Sequence, residues 1–145
     1  MIVRPVEARD RSAWDALYGA YAQFYEVPQT PQMRAQVWDW LTDPNHEVNG
    51  LVAGEDGSLL GFAHYRPFAR PLAAASGLYL DDLFVAPPAR GTGAAQALIA
   101  AVRQAAEDGG HSIVRWITAR DNTRARKVYD ALAEETAWVT YDIKL

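Results

Sequence analysis

The stretch from residue 78 to residue 96 constrains the fold more than any other part of the chain. Leu78-Tyr79-Leu80-Asp81-Asp82-Leu83-Phe84-Val85 reads as a strand run. Pro87-Pro88 and Arg90-Gly91-Thr92-Gly93 break it, and an alanine-rich helix follows over residues 92–107, with Leu98, Ile99, Val102, Ala105 and Ala106 on one face. Two glycines therefore stand where a strand becomes a helix. The first turn of a helix carries N–H groups without partners, and its dipole is positive at that end. Glycine lets the backbone approach an anion closely, so a phosphate can accept several N–H bonds together. Arg90 adds a formal charge of the same sign. The competing reading is a tight strand-to-helix turn that needs glycine for its own geometry.

The rest of the chain supplies the frame. Residues 2–7 read as a first strand. A helix follows, with Ser12 as N-cap and Trp14, Leu17, Tyr18, Tyr21 and Tyr25 on one face. Thr30-Pro31 starts a second helix, whose stripe is Met33, Val37, Trp40 and Leu41, and Asp43-Pro44 ends it. Residues 48–53 and 58–68 form a hairpin around Gly54-Glu55-Asp56-Gly57. After the third strand run and the long helix come a strand over 112–118, a helix over 122–134 with Ala125, Val128, Tyr129 and Leu132 inward, and a last strand over 137–145. The order β, α, α, β, β, β, α, β, α, β predicts an α+β, mixed-sheet domain: a mostly antiparallel twisted sheet with one parallel pair and flanking helices. With 145 residues and no repeats or linkers, residues 1–145 are expected to form a single domain.

Nucleotide folds narrow what the glycine loop holds. A P-loop needs Gly-Lys followed by Ser or Thr, and Gly93 is followed by Ala94-Ala95. A dinucleotide fold needs a third small residue where Gln96 stands, and its glycines follow the strand at once; here Ala86 to Arg90 intervene. The arrangement instead resembles the acyl-CoA motif of the GNAT superfamily of N-acyltransferases, commonly Gln/Arg-x-x-Gly-x-Gly/Ala. Gly91 and Gly93 take the two small positions and Arg90 precedes them, while Pro88 departs from the polar first residue. The run from Thr118 to Tyr129 resembles the family's second motif, with Asn122, Ala125 three later and Tyr129 four beyond. The chain lacks the Gly-Phe that many members carry after this helix, so its last hairpin is expected to be reduced or differently closed.

The resemblance implies an acetyl-CoA-dependent N-acetyltransferase acting on a primary amine of a small molecule. Coenzyme contacts are implied for Leu83, Phe84, Val85, Arg90, Gly91, Thr92, Gly93, Ala94, Ala95, Asn122 and Ala125. The pantetheine arm would pair with free backbone groups near Leu83, Phe84 and Val85, as an added strand would. Tyr129 takes the general-acid position, because a thiol leaves far better when protonated as it departs. Leu80-Asp81-Asp82-Leu83-Phe84-Val85 is similar to a strand of polyamine and thialysine acetyltransferases whose first acid is a proposed base. That residue is Asp81 here; Asp82, on the opposite face by strand alternation, is the fallback. A non-catalytic acyl-CoA-binding domain and a protein or peptide N-acetyltransferase are the alternatives. The family habit is a homodimer.

Other residues have competing readings. Tyr18, Tyr21, Phe24, Tyr25 and Trp38 offer either cation–π walls for an amine or helix packing. Glu26 and Asp39 are candidate attractors of a cation, and His64 reads as a satisfied or surface histidine. Arg120, Arg124, Arg126 and Lys127 are either a contact to the coenzyme 3′-phosphate or a solvated helix face.

Composition excludes much else. The net charge is -4 and the basic residues are scattered, which argues against a nucleic-acid partner. There are no cysteines, and His46, His64 and His111 show no metal-ligand spacing, so no metal is expected. No leader and no membrane-spanning run is read, and the expected location is cytoplasmic.

Overall fold

The computed structural model describes every residue except Asp56. Five strands form one sheet in the order of the chain: β1 (Ile2–Pro5), β2 (Asn49–Glu55), β3 (Ser58–Arg70), β4 (Ala75–Val85) and β5 (Val114–Arg115). The first three pairings are antiparallel, and β4–β5 is parallel. The helices are α1 (Arg11–Phe24), α2 (Pro31–Thr42), α3 (Ala94–Asp108) and α4 (Thr123–Leu132). This is the mixed α/β architecture expected. The turn expected at Gly54 to Gly57 includes Asp56, which lies outside the described residues.

Strand alternation divides the core between the two faces. Leu51, Ala53, Ala63, Leu78 and Leu80 pack with Leu98, Ile99, Val102 and Ala106 of α3. Val52, Phe62 and Phe84 face the other way and pack with Trp14 and Leu17 of α1 and Trp38 of α2. Burying each Leu, Ile, Val or Phe among them stabilises the fold by about 1.5–3 kcal/mol. The stripe expected on α2 holds at Val37 and Leu41, which pack on this core. Trp38 is buried with them, whereas Met33 and Trp40 are exposed, and Trp40 stacks on His46 at 5.0 Å. Trp38 wins the inward position because Trp14 packs against it, with ring centroids 5.1 Å apart.

Local signals explain the element ends. Thr30 caps α2 through its hydroxyl, which accepts from the Met33 N–H at 3.2 Å, with Pro31 in the first turn. The expected cap of α1 at Ser12 is corrected: a 3-10 turn over Ala8–Asp10 precedes the helix, and Asp10 is its N-cap residue. Buried Asp10 accepts two bonds from Arg4, at 2.7 and 2.9 Å, and one from the Glu7 N–H at 2.8 Å, tying β1 to α1.

Two strand expectations are also corrected. The strand expected over 112–118 shrinks to Val114–Arg115, because its pairing with β4 ends at Tyr79. The strand expected over 137–145 does not form. Among the described residues that segment has no ladder partner, and Trp138, Tyr141, Ile143 and Leu145 are 86 % to 117 % exposed. Leu132, expected on the inner face of α4, is exposed too.

Candidate active site

The parallel partner leaves β4 early, and this split builds the site. Beyond Tyr79, β4 continues through Leu80 to Val85 with only β3 beside it. The edge that β5 abandons is therefore free to pair with an extended ligand. Leu83 and Val85 point their side chains to the α3 face, and Phe84 is buried in the opposite core. Phe84 can thus serve a coenzyme through its backbone.

At the end of β4 the glycine loop has the shape of an anion cradle. Gly91 and Gly93 both have positive φ, +84° and +87°, a region most side chains avoid at a cost of about 1–2 kcal/mol. A Cβ at either glycine would meet no described atom within 4 Å, so the requirement is for backbone conformation and not for space. Gly93 is the N-cap of α3 and provides no side-chain bond to the helix. The intrahelical ladder starts with Ala97 N–H to Gly93 O at 3.0 Å, leaving the Ala94, Ala95 and Gln96 N–H groups for a ligand. The Thr92 hydroxyl is turned inward to the Ala89 carbonyl at 2.6 Å. Arg90 lies over the Phe24 ring at 5.2 Å, which holds its charge beside the loop.

The structure brings Tyr129 and Asp81 to the lining of one small, open cleft at the split edge. Leu80 and Leu83 form its β4 wall, Trp116, Ile117 and Thr118 its β5 wall, and Tyr21 and Tyr25 of α1 reach over it. The Tyr129 ring meets Trp116 edge to face at 5.4 Å. Burial, with a smaller contribution from Tyr25, pushes its hydroxyl up to about 12. The phenol therefore keeps its proton at neutral pH. Asn122 ties the cleft's three elements together: its Nδ2 donates to the Tyr25 hydroxyl at 3.3 Å and to Thr118 Oγ1 at 3.4 Å, and its Oδ1 accepts from the Ala125 N–H at 3.5 Å. Asn122 is thus also the N-cap of α4.

The two aspartates do not point to opposite faces, and the expectation from simple alternation is corrected. The β3–β4 register passes from His64↔Asp82 to Tyr65↔Leu80, so Asp81 is the extra residue of a β-bulge. Leu80 and Leu83 share the α3 face, and both carboxylates turn to the other side. Asp81 Oδ2 accepts from Arg66 Nε at 3.0 Å. Desolvation raises its carboxyl above the ordinary value, with Arg66 opposing and Asp82 adding to the rise. Asp82 turns inward: Oδ2 lies 2.8 Å from His64 Nδ1 and accepts from the Tyr18 hydroxyl at 3.2 Å. His64 is 1 % exposed, so its place is the core.

The remaining candidates separate cleanly. Tyr18 and Trp38 belong to the core, Phe24 supports Arg90, and Tyr21 and Tyr25 line the cleft. Burial, followed by nearby Asp82, raises the Tyr21 hydroxyl. Glu26 has φ +56° just after α1, and its N–H bonds the Gln23 carbonyl. Arg126 donates to the Arg120 carbonyl at 2.7 Å and pairs with Glu135 at 2.9 Å. Trp116 and Thr118 were not singled out from sequence, since only the splay of β5 turns them into a wall. A second shallow cleft lies between β1, β2 and Arg9 at the far sheet edge, away from these residues. Among the described residues no group of three or more His, Cys, Asp or Glu is placed to hold a metal, and no helix is long and apolar enough to cross a membrane.

Known proteins are similar to this chain in sequence and fold. Residues 14–133 match the family model described as the acetyltransferase (GNAT) family. A D-amino-acid N-acetyltransferase of Saccharomyces cerevisiae is 30% identical over 143 residues, covering 97% of this chain and 89% of its own. The crystal structure of a ribosomal-protein-alanine N-acetyltransferase from Brucella melitensis superposes with a TM-score of 0.83 at 26% identity, over 99% of both chains. An aminoglycoside N-acetyltransferase solved with CoA superposes with a TM-score of 0.83 at 24% identity, over 99% of this chain and 93% of its own, which speaks for the fold. With its glycine cradle, its split strand pair and a matching family model over most of its length, the chain belongs to the GNAT acetyltransferase family.

Proposed function

We propose that this acetyltransferase moves an acetyl group from acetyl-CoA to a primary amine of a small molecule, by direct attack. The observation that carries the reading is the convergence of Asp81 and Tyr129 on one cleft at the open edge of β4. The cradle fits the coenzyme: N–H groups of Ala94 and Ala95, the backbone at Gly91, Thr92 and Gly93, and the Arg90 charge suit a pyrophosphate. Backbone groups of Leu83, Phe84 and Val85 suit an amide-bearing arm, with Asn122 and Ala125 across from them. Bound acetyl-CoA supplies an activated thioester.

The chain's own groups do the rest. Asp81, directly or through a water, takes a proton from the amine as nitrogen bonds the carbonyl carbon. Its raised pKa suits it to that task. Tyr129 gives its proton to the sulfur as the carbon–sulfur bond breaks, leaving an amide and a thiol. Asp82 is held by His64 and Tyr18 and keeps α1 in register with β4. The aromatic faces of Tyr21, Tyr25 and Trp116 suit an alkylamine or ammonium.

The relatives' names support an amine acceptor: D-amino acids for the yeast protein and aminoglycosides for a Salmonella typhimurium relative 29% identical over 124 residues. In this reading residues 1–145 act as one catalytic domain, in the cytoplasm and as a homodimer. Thiol release from acetyl-CoA, measured with D-amino acids, L-amino acids, aminoglycosides, polyamines and short peptides, tests it. Turnover is expected with at least one small amine. Turnover with peptides alone would overturn the acceptor class, and CoA binding without turnover on any acceptor would overturn the proposed transfer.

A further inference from the structure

The sheet face that carries Asp81 also holds a row of rings and guanidinium groups that the transfer chemistry leaves unused. Register sets Arg66 of β3, Tyr79 of β4 and Arg115 of β5 side by side. Neighbouring strands lie about 4.8 Å apart, so one ligand can span the row. The Arg66 guanidinium lies over the Tyr79 ring at 5.0 Å, and that of Arg115 over the Phe68 ring at 5.3 Å. The two rings meet edge to face at 5.9 Å. Phe68 pairs with Gly77, where a Cβ would come within 2.8 Å of its ring. The glycine therefore gives Phe68 its place in the row.

Charge on this face is not balanced. Arg66 Nε donates to Asp81 at 3.0 Å, while its two terminal nitrogens meet no acceptor among the described residues. Arg115 is exposed and pairs with no carboxylate among the described residues. Burial raises the Tyr79 hydroxyl, Asp81 adds to the rise, and the charges of Arg66 and Arg115 oppose it. Two cations and one carboxylate thus share one field, on a chain whose net charge is -4. Rings beneath the guanidinium planes hold them in place and leave their edges open. Such an edge takes a carboxylate through two parallel bonds.

We propose that Arg66, with Arg115 beside it, binds a carboxylate on the acceptor, and that the acceptor is an α-amino acid. The inference rests on the proposed transfer reaction, in which the amine meets Asp81. In an α-amino acid the amine nitrogen and the carboxyl carbon are about 2.5 Å apart, across two bonds. The Asp81 carboxylate and the Arg66 guanidinium are adjacent too, at 3.0 Å, so one small molecule reaches both. The side chain of the amino acid is then left to the aromatic cleft. A polyamine or an aminoglycoside would instead set ammonium groups against the two guanidiniums, and like charges reject that pose.

The test is acetyl transfer to the free acids and the amides of alanine, leucine and phenylalanine, in both hands, and to spermidine. For wild type, kcat/KM of at least one free acid is expected to exceed that of its own amide, and that of spermidine, by roughly ten- to a hundredfold. The amine of an amide gives up its proton more readily, so intrinsic reactivity works against this preference. Arg66→Gln is expected to bring the acid-to-amide ratio close to one, and Arg115→Gln to lower it by a smaller factor. The ratio cancels any change in the basicity of Asp81 or in the fraction folded, because both acceptors meet the same protein. Equal or better turnover of the amides or of spermidine by wild type would overturn the proposal, as would a ratio that Arg66→Gln leaves unchanged. Either result, with turnover intact, leaves the transfer reaction standing. If no acceptor turns over, calorimetry on the CoA-loaded protein decides. Tighter binding of the free acids than of the amides then supports the carboxylate site, and equal or absent binding overturns it.

Discussion

His64 Nδ1 lies 2.8 Å from Asp82 Oδ2, and the other ring nitrogen accepts from the Trp14 indole N–H at 2.9 Å. The indole has only a proton to give, so Nε2 carries none and the ring proton sits on Nδ1, aimed at the carboxylate. A line of hydrogen bonds thus runs from α1 through β3 to β4, directly beside the bulge that presents Asp81. The ring fixes the strand on which the cleft is built, and it sits too deep to meet a substrate.

Replacing that ring tests the structural role. His64→Ala leaves the indole N–H and the carboxylate without their shared partner and opens a cavity. It should destabilise the protein by about 2–4 kcal/mol, measured by urea unfolding. A loss within error would show that the relay carries no stability.

Tyr129→Phe removes one hydroxyl and keeps the ring on Trp116. It should lower kcat by roughly 10²–10⁴-fold, with coenzyme affinity and melting temperature close to wild type. An unchanged kcat would remove Tyr129 as the proton donor.

Acid should act on Asp10 and Asp81 in opposite senses. The hydrogen bond and charge of Arg4 lower the folded pKa of Asp10, so its contribution is present above the unfolded value and is lost as pH falls through the folded one. Desolvation raises Asp81, so the folded state holds that proton more tightly, and its charged form costs stability until pH falls through the raised value. Asp81→Asn should therefore be more stable than wild type at neutral pH, with the gap closing towards about pH 4. Asp10→Asn should be less stable at neutral pH, with its gap closing at lower pH. Unfolding midpoints across pH check both signs. Loss of acetyl transfer in Asp81→Asn, with coenzyme binding retained, would separately support the base.

The cradle predicts a charge effect at Gly93. Asn and Asp both tolerate its positive φ better than other side chains and have nearly the same size. Gly93→Asp puts an anion where the pyrophosphate is expected, and Gly93→Asn does not. Calorimetry should give coenzyme affinity at least about tenfold weaker for Asp than for Asn, since a tenfold change needs only ~1.4 kcal/mol of repulsion. Equal affinities would move the anion site elsewhere.

Much of the framework was legible because it rests on local rules. The strand run from residue 78, the Thr30-Pro31 start and the two glycines reflect strand alternation, helix capping and backbone sterics, each set within a few residues. The spacing from Asn122 to Tyr129 belongs to that class. The α2 stripe misled because Trp38 and Trp40 are equally apolar, and only contact with Trp14 decides which turns inward. Asp81 and Asp82 share a face because β3 pairs around an extra residue, which no alternation rule can read from one strand. The cleft exists because β5 stops at Arg115 while β4 runs on. Residues 137–145 have the alternation of a strand, but alternation alone does not make one, and these residues pair with none of the described strands. Sequence by itself determined the helices α1 to α4, the strands β1 to β4 and the glycine turn before α3, since those follow from short-range sterics and periodicity. Tertiary structure decided which side chains meet, because cross-strand register and the packing of distant elements settle that.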